Sequence, residues 1–394
     1  MRSWIADAHH EIYIARREQR IVRRHWGSDR MGIGESDGLS RTACELFTMA
    51  FAILAAASCR SGERTAVEPV VDLTEIGSLV SIGDVESADT MALFTEIRDA
   101  AFHGSEIAVL DAAPPFVRFF DSNGRFTRAF VERGEGPGEA RTPYALSVTT
   151  SGGLLLTERR RVTWLDSDGQ AVRITRADGM RVRGAVFGCG HAAILLAGSL
   201  AYADSAGGLL RPAAAGDGLD TLLRIRTLRP NSRQAHPLFA AGEPEKLILY
   251  SEERTENRII EVSCDGTVTD EIELDSIGRA EWWESGAVPG EFLLHPPEAP
   301  FPAGFARIGD ELVWASRILK EGKTGVDTLT RLVSYRRSAR DRSILLRGWY
   351  EILDASADGR VLISRDEPVG SVFVVDGRRL LMFLQERGAS GNTE

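Results

Sequence analysis

A chain of 394 residues with 43% hydrophobic content and a formal net charge of −10 can bury a large core and is neither a disordered nor a fibrous sequence. The acidic surplus sits in residues 60–394, which hold 39 basic and 50 acidic residues against 8 and 7 in residues 1–59. That excludes sequence-independent nucleic-acid binding, which runs on excess Lys and Arg.

In chain order, residues 1–30 read as an upstream extension, with Met31 an alternative start. Residues 31–59 read as an export signal. Within them, 46–57 ("LFTMAFAILAAA") form an apolar run too short for the roughly 20 residues of a membrane span but suited to the h-region of a secretory signal. Cys59 follows directly on "AAAS" and resembles the lipobox of bacterial lipoproteins, in which the cysteine becomes the lipid-modified first residue. Ala56 stands where that family prefers leucine, and Arg41 supplies the n-region charge against Glu35, Asp37 and Glu45. Two other readings stay open: ordinary cleavage after "AAA" with Cys59 free, and a buried helix of the fold. Residues 60–67 are polar and turn-rich and suit a tether.

From about residue 96 a four-strand pattern recurs. Residues 96–131 give "IRDAAF", "EIAVLD", "VRFFDSNG" and "RFTRAF"; residues 142–176 give "ALSVT", "LLLTER", "VTWLDSDG" and "QAVRITR". β-Branched and aromatic runs between glycine-containing turns are strand and hairpin signals. The turn Asp121–Gly124 is repeated 45 residues later at Asp166–Gly169. Looser copies follow over 182–228, 236–274, 303–347 and 350–386, the first of these with a poor strand pattern around "SAGGLLRPAAAGDG" and the last ending in "RRLLMFL" read as a strand. Six such units predict an all-β fold, a six-bladed β-propeller of four-stranded antiparallel blades over residues 68–386, because one small sheet cannot bury both faces alone. Residues 387–394 read as a disordered tail. The least repetitive stretch, 275–302, holds Trp282, Trp283 and His295; it is read as a cap on a blade interface, with a functional lid the alternative. Cys44, Cys59, Cys189 and Cys264 form no CxxC pair, which excludes a zinc ribbon or thioredoxin-type site. Cys189 and Cys264 could pair in an oxidising compartment, but their separation gives no support for it, and buried free thiols are expected.

Residues 121–143, "DSNGRFTRAFVERGEGPGEARTP", resemble a stretch carried between blades by bacterial six-bladed β-propeller lipoproteins related to NHL-repeat proteins. Gly134, Glu135, Gly136, Pro137, Gly138 and Glu139 match its centre, and Ala140 departs from the usual aromatic. The resemblance implies the fold and an envelope location, and little chemistry.

The same glycines could suggest a phosphate loop. A dinucleotide fingerprint or P-loop needs a helix after the glycines, and "PYALSVT" reads as a strand, so a blade-to-blade crossover is expected. In a propeller these crossovers and the second-to-third strand loops share one face. Second strands ending at Asp111, Glu158 and Glu252 put carboxylates on one arc of that rim, and Arg317 and Arg365 put cations on the other. Arg133, Glu135, Glu139 and Arg141 of the glycine loop join them, a candidate rim for a ligand or partner; a solvated face with incidental ion pairs is the alternative. No catalytic set is legible: HExxH and GxSxG are absent. Asn123, Asn231, Asn257 and Asn392 occupy no inner-strand position of the kind metal-dependent propeller lactonases use. No metal site or cofactor is expected, a structural calcium ion lacking any supporting pattern. The sequence thus reads as a monomeric binding or scaffolding module with a protein, small-molecule or glycan partner, no nucleic acid, and membrane contact through the lipid anchor alone. A metal-dependent hydrolase, lactonase or lyase is the alternative.

Overall fold

The structure is a computed structural model that describes residues 69–83, 90–176, 181–197, 206–212, 219–226, 240–242, 246–252, 257–274, 301–322, 325–336, 339–365 and 370–390. The described chain enters through β1 (Val70–Val71), one helical turn α1 (Leu73–Ile76) and β2 (Val80–Ile82). Four-strand meanders follow. The first is β3 (Ile97–His103), β4 (Glu106–Asp111), β5 (Val117–Phe120) and β6 (Phe126–Phe130). The second is β7 (Ala145–Val148), β8 (Leu154–Glu158), β9 (Arg161–Leu165) and β10 (Ala171–Arg176). The third is β11 (Arg181–Gly188), β12 (His191–Ala197), β13 (Ala206–Pro212) and β14 (Leu219–Arg226). The fourth is β15 (Ala240–Gly242), β16 (Lys246–Glu252), β17 (Asn257–Ser263) and β18 (Val268–Leu274). The fifth is β19 (Phe301–Ile308), β20 (Glu311–Gly322), β21 (Gly325–Arg336) and β22 (Ala339–Arg347). The chain ends with β23 (Tyr350–Ala355), β24 (Arg360–Arg365), β25 (Ser371–Asp376), helix α2 (Gly377–Arg387) and β26 (Ala389–Ser390).

The uniform six-blade expectation needs correction. Among the described residues five sheets have four strands, and the fifth meander belongs to a six-stranded sheet in which β1 pairs parallel to β22 and β26 also pairs with β22. The stretch "RRLLMFL" is helix, not strand: Asp376 caps it by accepting from the N–H groups of Arg378 and Arg379, and Leu380 and Leu384 bury one face at helical spacing. The missing outer strand of the last sheet comes from the other end of the chain, as β2 pairs antiparallel with β25. The weakly patterned stretch around 205–218 does hold a strand, β13. Ala389–Ser390 is strand too, so ordered chain passes the boundary expected at residue 386. The signal, tether and interface-cap readings of 31–59, 60–67 and 275–302 fall wholly or almost wholly outside the described residues.

Among the described residues, four of the junctions between neighbouring sheets are apolar clusters. Phe116, Phe119 and Leu110 of the first meet Leu146, Leu154 and Leu156 of the second. Tyr250 and Ile259 of the fourth meet Trp314 and Tyr335 of the fifth, with Tyr250 and Trp314 stacked at 4.9 Å between centroids. Val313, Leu332 and Ile344 of the fifth meet Ile352 and Ile363 of the sixth. Ile82, Leu362 and Val374 of the sixth meet Ile107, Val109 and Phe120 of the first. Complete burial of a large apolar side chain contributes about 1.5–3 kcal/mol, so these two-sided contacts supply what a lone sheet lacks. The first strands β23, β3, β7, β11 and β15 lie side by side in that order, with β19 beside β23, and they surround a central channel.

Candidate functional site

The channel holds a cavity of about 1320 Å³, lined by β3, β7, the end of β11, β19 and β23, with Lys246 and Arg317. Inner strands expose their unpaired edges here, and buried backbone N–H groups need acceptors. Side chains on the preceding inner strand supply them. Asp354 on β23 accepts from Phe102 N at 2.8 Å, Asp99 on β3 accepts from Leu146 N at 2.7 Å, and Ser147 Oγ on β7 accepts from Phe187 N at 3.1 Å. The register slips between Ile97 and Asp99 and between Ile352 and Asp354. Such bulges re-aim a side chain, and here each aspartate turns toward the next sheet. Each also accepts from the N–H that follows it, Ala100 for Asp99 and Ala355 for Asp354.

These carboxyls titrate abnormally. Burial in the channel wall pushes Asp354 up to about 6, against the pull of its two N–H donors. Burial likewise holds Asp99 well above the ordinary carboxylate range, and the nearby charges of Asp354 and Glu351 add to it. Glu351 is ion-paired to Arg317 Nη2 at 2.7 Å, and the Arg317 guanidinium lies 5.0 Å from the Trp349 ring centroid. The channel therefore offers carboxyls of raised proton affinity, a salt-bridged Arg–Glu pair and hydroxyls from Ser147, Thr149, Thr150 and Ser356. Among the described residues no group of three or more His, Cys, Asp or Glu stands close enough to hold a metal ion.

Of the rim residues expected from the sequence, Arg317 lines this cavity. Asp111 and Glu158 end β4 and β8 but sit in matching clamps beneath the surface. Asp111, 0% exposed, accepts from Thr95 N and Glu96 N at 3.0 Å and from Arg118 Nη2 at 2.8 Å. Arg118 also donates to the carbonyls of Met91 and Leu93. Glu158 accepts from Arg141 N and Thr142 N at 2.8 and 3.2 Å and from Arg161 Nε at 2.6 Å. In both sheets one carboxylate–arginine pair fixes the chain where it enters the inner strand. Arg365 lies over Phe373 at 5.3 Å, beside Tyr350, whose phenol burial pushes up. Glu252 ends β16, and its side chain is outside the described residues.

The glycine loop is a closed turn. Gly134 N donates to Ala140 O, and Ala140 N to Glu132 O. Glu139 folds back over the loop and accepts from Gly136 N at 2.8 Å. A Cβ on Gly134 would collide with its carboxylate, and one on Gly136 would press against it. Arg161 grips the carbonyls of Glu135 and Glu139 from outside at 3.4 and 2.9 Å. Ala140, in place of an aromatic, is fully buried among Phe116, Val131 and Leu146. Arg133, Glu135 and Arg141 are exposed; Glu135 and Arg141 pair with each other at 2.6 Å, and Arg133 lies 5.8 Å from the Phe116 ring centroid. The loop is the crossover from β6 to β7.

Two features were not legible. Cys189, in the β11–β12 turn, and Cys264, in the β17–β18 turn, form a disulfide with Cα atoms 5.3 Å apart, correcting the expectation of free thiols. A second cavity of about 560 Å³ lies between the fourth and fifth sheets, lined by Arg307, Glu311 and Arg336 among others. Arg336 pairs with Glu311, and Arg307 and Lys246 pair with the buried Glu261, so these charges serve one another.

No family model and no curated protein matches the chain. Among solved structures it is similar to a candidate exported protein from Bacteroides fragilis, at 11% identity, 73% of this chain, 92% of that chain and a TM-score of 0.50. Others are a gluconolactonase from Xanthomonas campestris (16% identity, 72% and 86% coverage, TM-score 0.44) and the Pan2 WD40 domain from Neurospora crassa (8%, 71% and 75%, 0.37). Identity this low carries architecture alone, and with the sheet order above it establishes an all-β propeller with four-stranded antiparallel blades.

Proposed function

We propose that the protein is an exported six-bladed β-propeller that binds a small polar molecule, a glycan or a partner protein at the cell envelope and does no chemistry on it. The observation that carries this reading is the channel of about 1320 Å³. It is concave, lined by hydroxyls and paired charges, and of a size that accommodates a small ligand. Arg317 and Glu351 are its anchoring pair, and Arg133, Glu135, Glu139, Arg141 and Arg365 extend the surface around it. In this reading the β19–β22 sheet counts as the remaining blade, widened by strands from both ends of the chain. Export is supported by the apolar run before Cys59 and by the Cys189–Cys264 disulfide, a bond that persists in oxidising compartments. The similar Bacteroides protein is described as exported, which agrees. The anchor is a lipid on Cys59, on the periplasmic or cell-surface side, and the protein is a monomer without cofactor. Among the described residues no helix is long and apolar enough to cross a membrane.

A thermal-shift screen of the purified protein against small polar metabolites and oligosaccharides tests the reading. At least one compound is expected to stabilise it, with the shift lost in Arg317→Ala. Stabilisation that survives both Arg317→Ala and Glu351→Ala would move binding out of the channel. Radiolabelled palmitate is expected to enter wild type and not Cys59→Ser; an unlabelled wild type ends the lipoprotein reading.

One observation favours a second reading, a metal-dependent hydrolase, lactonase or lyase: Asp99, Glu351 and Asp354 line one cavity, and the charges of Glu351 and Asp354 raise the proton affinity of Asp99. Elemental analysis separates the two. A stoichiometric divalent metal, lost in the Asp99→Asn/Asp354→Asn variant, would favour the enzyme.

A further inference from the structure

We propose that the Cys189–Cys264 disulfide is a thiol-exchange site, opened by a dithiol partner, and that opening it frees one wall of the channel mouth. Three observations converge. First, Gly188, Cys189 and Gly190 line the cavity, so one end of the bond is part of the mouth itself. Second, the bond crosses between sheets, from the β11–β12 turn of the third to the β17–β18 turn of the fourth. Third, both cysteines are half-buried at hairpin tips, which leaves the sulfurs on elements a partner can reach.

The local backbone strengthens the case. Cys189 and Gly190 are the two central residues of a hairpin turn, with φ of 55° and 72°. Such a turn favours Asn-Gly or Gly-Gly, and a side chain other than Asn or Asp is uncommon in the left-handed region. Cysteine at this position is therefore not explained by the turn. Cys264 sits in a Ser-Cys-Asp-Gly turn that needs no cysteine, since Asp265 accepts from Thr267 N and Gly266 N closes on Ser263 O. Both turns are complete without the bond, so each can persist after the sulfurs separate.

A thiolate of the dithiol attacks one sulfur, forming a mixed disulfide and releasing the other cysteine, which takes a proton. The partner's second thiol resolves the mixed disulfide. Two electrons and two protons pass to Cys189 and Cys264, and the partner leaves oxidised. The β11–β12 turn is then held by its own sheet, by the packing of β11 on β7, β8 and β15, and by Phe187 N on Ser147 Oγ, with no covalent link to the fourth sheet.

The proposal draws on the channel as a binding site only for its biological consequence, so its test uses no ligand. The oxidised full chain is treated with dithiothreitol in native buffer, alkylated, and mapped by peptide mass, with hydrogen exchange measured in parallel. Alkylation of Cys189 and Cys264 is expected only after reduction. Exchange over residues 186–191 and 263–267 is expected to rise about ten-fold, with residues 97–130 unchanged, the pattern of a local opening. The Cys189→Ser/Cys264→Ser variant is expected to show the reduced pattern without reductant and no response to it. Alkylation before reduction, resistance to reduction under native conditions, unchanged exchange at both turns, or increased exchange along the whole chain would each overturn the proposal.

Discussion

Replacing Asp354 by Asn should change stability with a sign that depends on pH. In the folded protein burial raises this carboxyl from 3.8 to about 6. Its contribution to stability is therefore fully present below about pH 4 and lost as pH rises through 6, because the unfolded chain ionises it first. At about 1.4 kcal/mol per pH unit, the loss between pH 4 and pH 8 comes to about 3 kcal/mol. Asparagine cannot ionise, so the variant escapes that loss. It has one acceptor oxygen where Asp354 uses two, for Phe102 N and Ala355 N, and loses about 1 kcal/mol at every pH. The variant should thus be about 1 kcal/mol less stable than wild type at pH 4 and about 2 kcal/mol more stable at pH 8. Asp99 adds to the trend, since removing the Asp354 charge makes its own ionisation easier. Urea unfolding of both proteins at half-unit steps across this range measures it, and the difference cancels carboxylates common to both. A difference that stays flat from pH 4 to pH 8 would refute the account of Asp354 as a buried, proton-holding staple.

Asp111→Ala strips Arg118 of its buried partner, and denaturant unfolding should register a loss of about 3–5 kcal/mol; a loss below 1 kcal/mol would mean the clamp is ornamental. Gly134→Ala forces the Glu139 carboxylate off Gly136 N and should cost about 1–3 kcal/mol, with little further loss when Glu139→Ala is added, which a double-mutant cycle reads directly. Deleting residues 69–83 removes β1 and β2 and should broaden or abolish the cooperative unfolding transition, while a sharp single transition would show that the ring closes without them.

The first two repeats were legible almost to the residue because their strands alternate cleanly and their turns carry Asp and Gly at fixed offsets. The Asp/Gly turns recur as expected: Asp121 accepts from Asn123 N and Arg125 N, and Asp166 from Asp168 N and Gln170 N. Closure was not legible. A strand as short as Val80–Ile82 has no periodicity of its own, and its partner lies nearly 300 residues away. Helix α2 was missed because Leu380, Leu381, Phe383 and Leu384 also fit a buried strand; the deciding signal was Asp376 as an N-cap before a run with i, i+4 leucines. Among the second-strand ends, Arg317 lines the cavity, while the carboxylates of Asp111 and Glu158 hold the chain entering an inner strand. Asp99 and Asp354 were overlooked as ordinary strand residues, although Ile97-Arg98-Asp99-Ala100 and Ile352-Leu353-Asp354-Ala355 share one I-x-D-A pattern. An aspartate at the same place in two otherwise apolar inner strands was the available clue.

The pairing of β2 with β25 has a consequence for how the chain reaches this structure. The contact spans almost the full length of the described residues, so loop-closure entropy opposes it until the intervening sheets have formed. Val372 and Val374 of β25 have no outer neighbour until Val80–Ile82 returns to them, and during synthesis β2 emerges nearly 300 residues before β25. Annealing of the two chain ends is then the last event of folding. Until it happens, the molecule is an open arc with an unsatisfied strand edge, the form in which it is most exposed to pairing with another copy of itself.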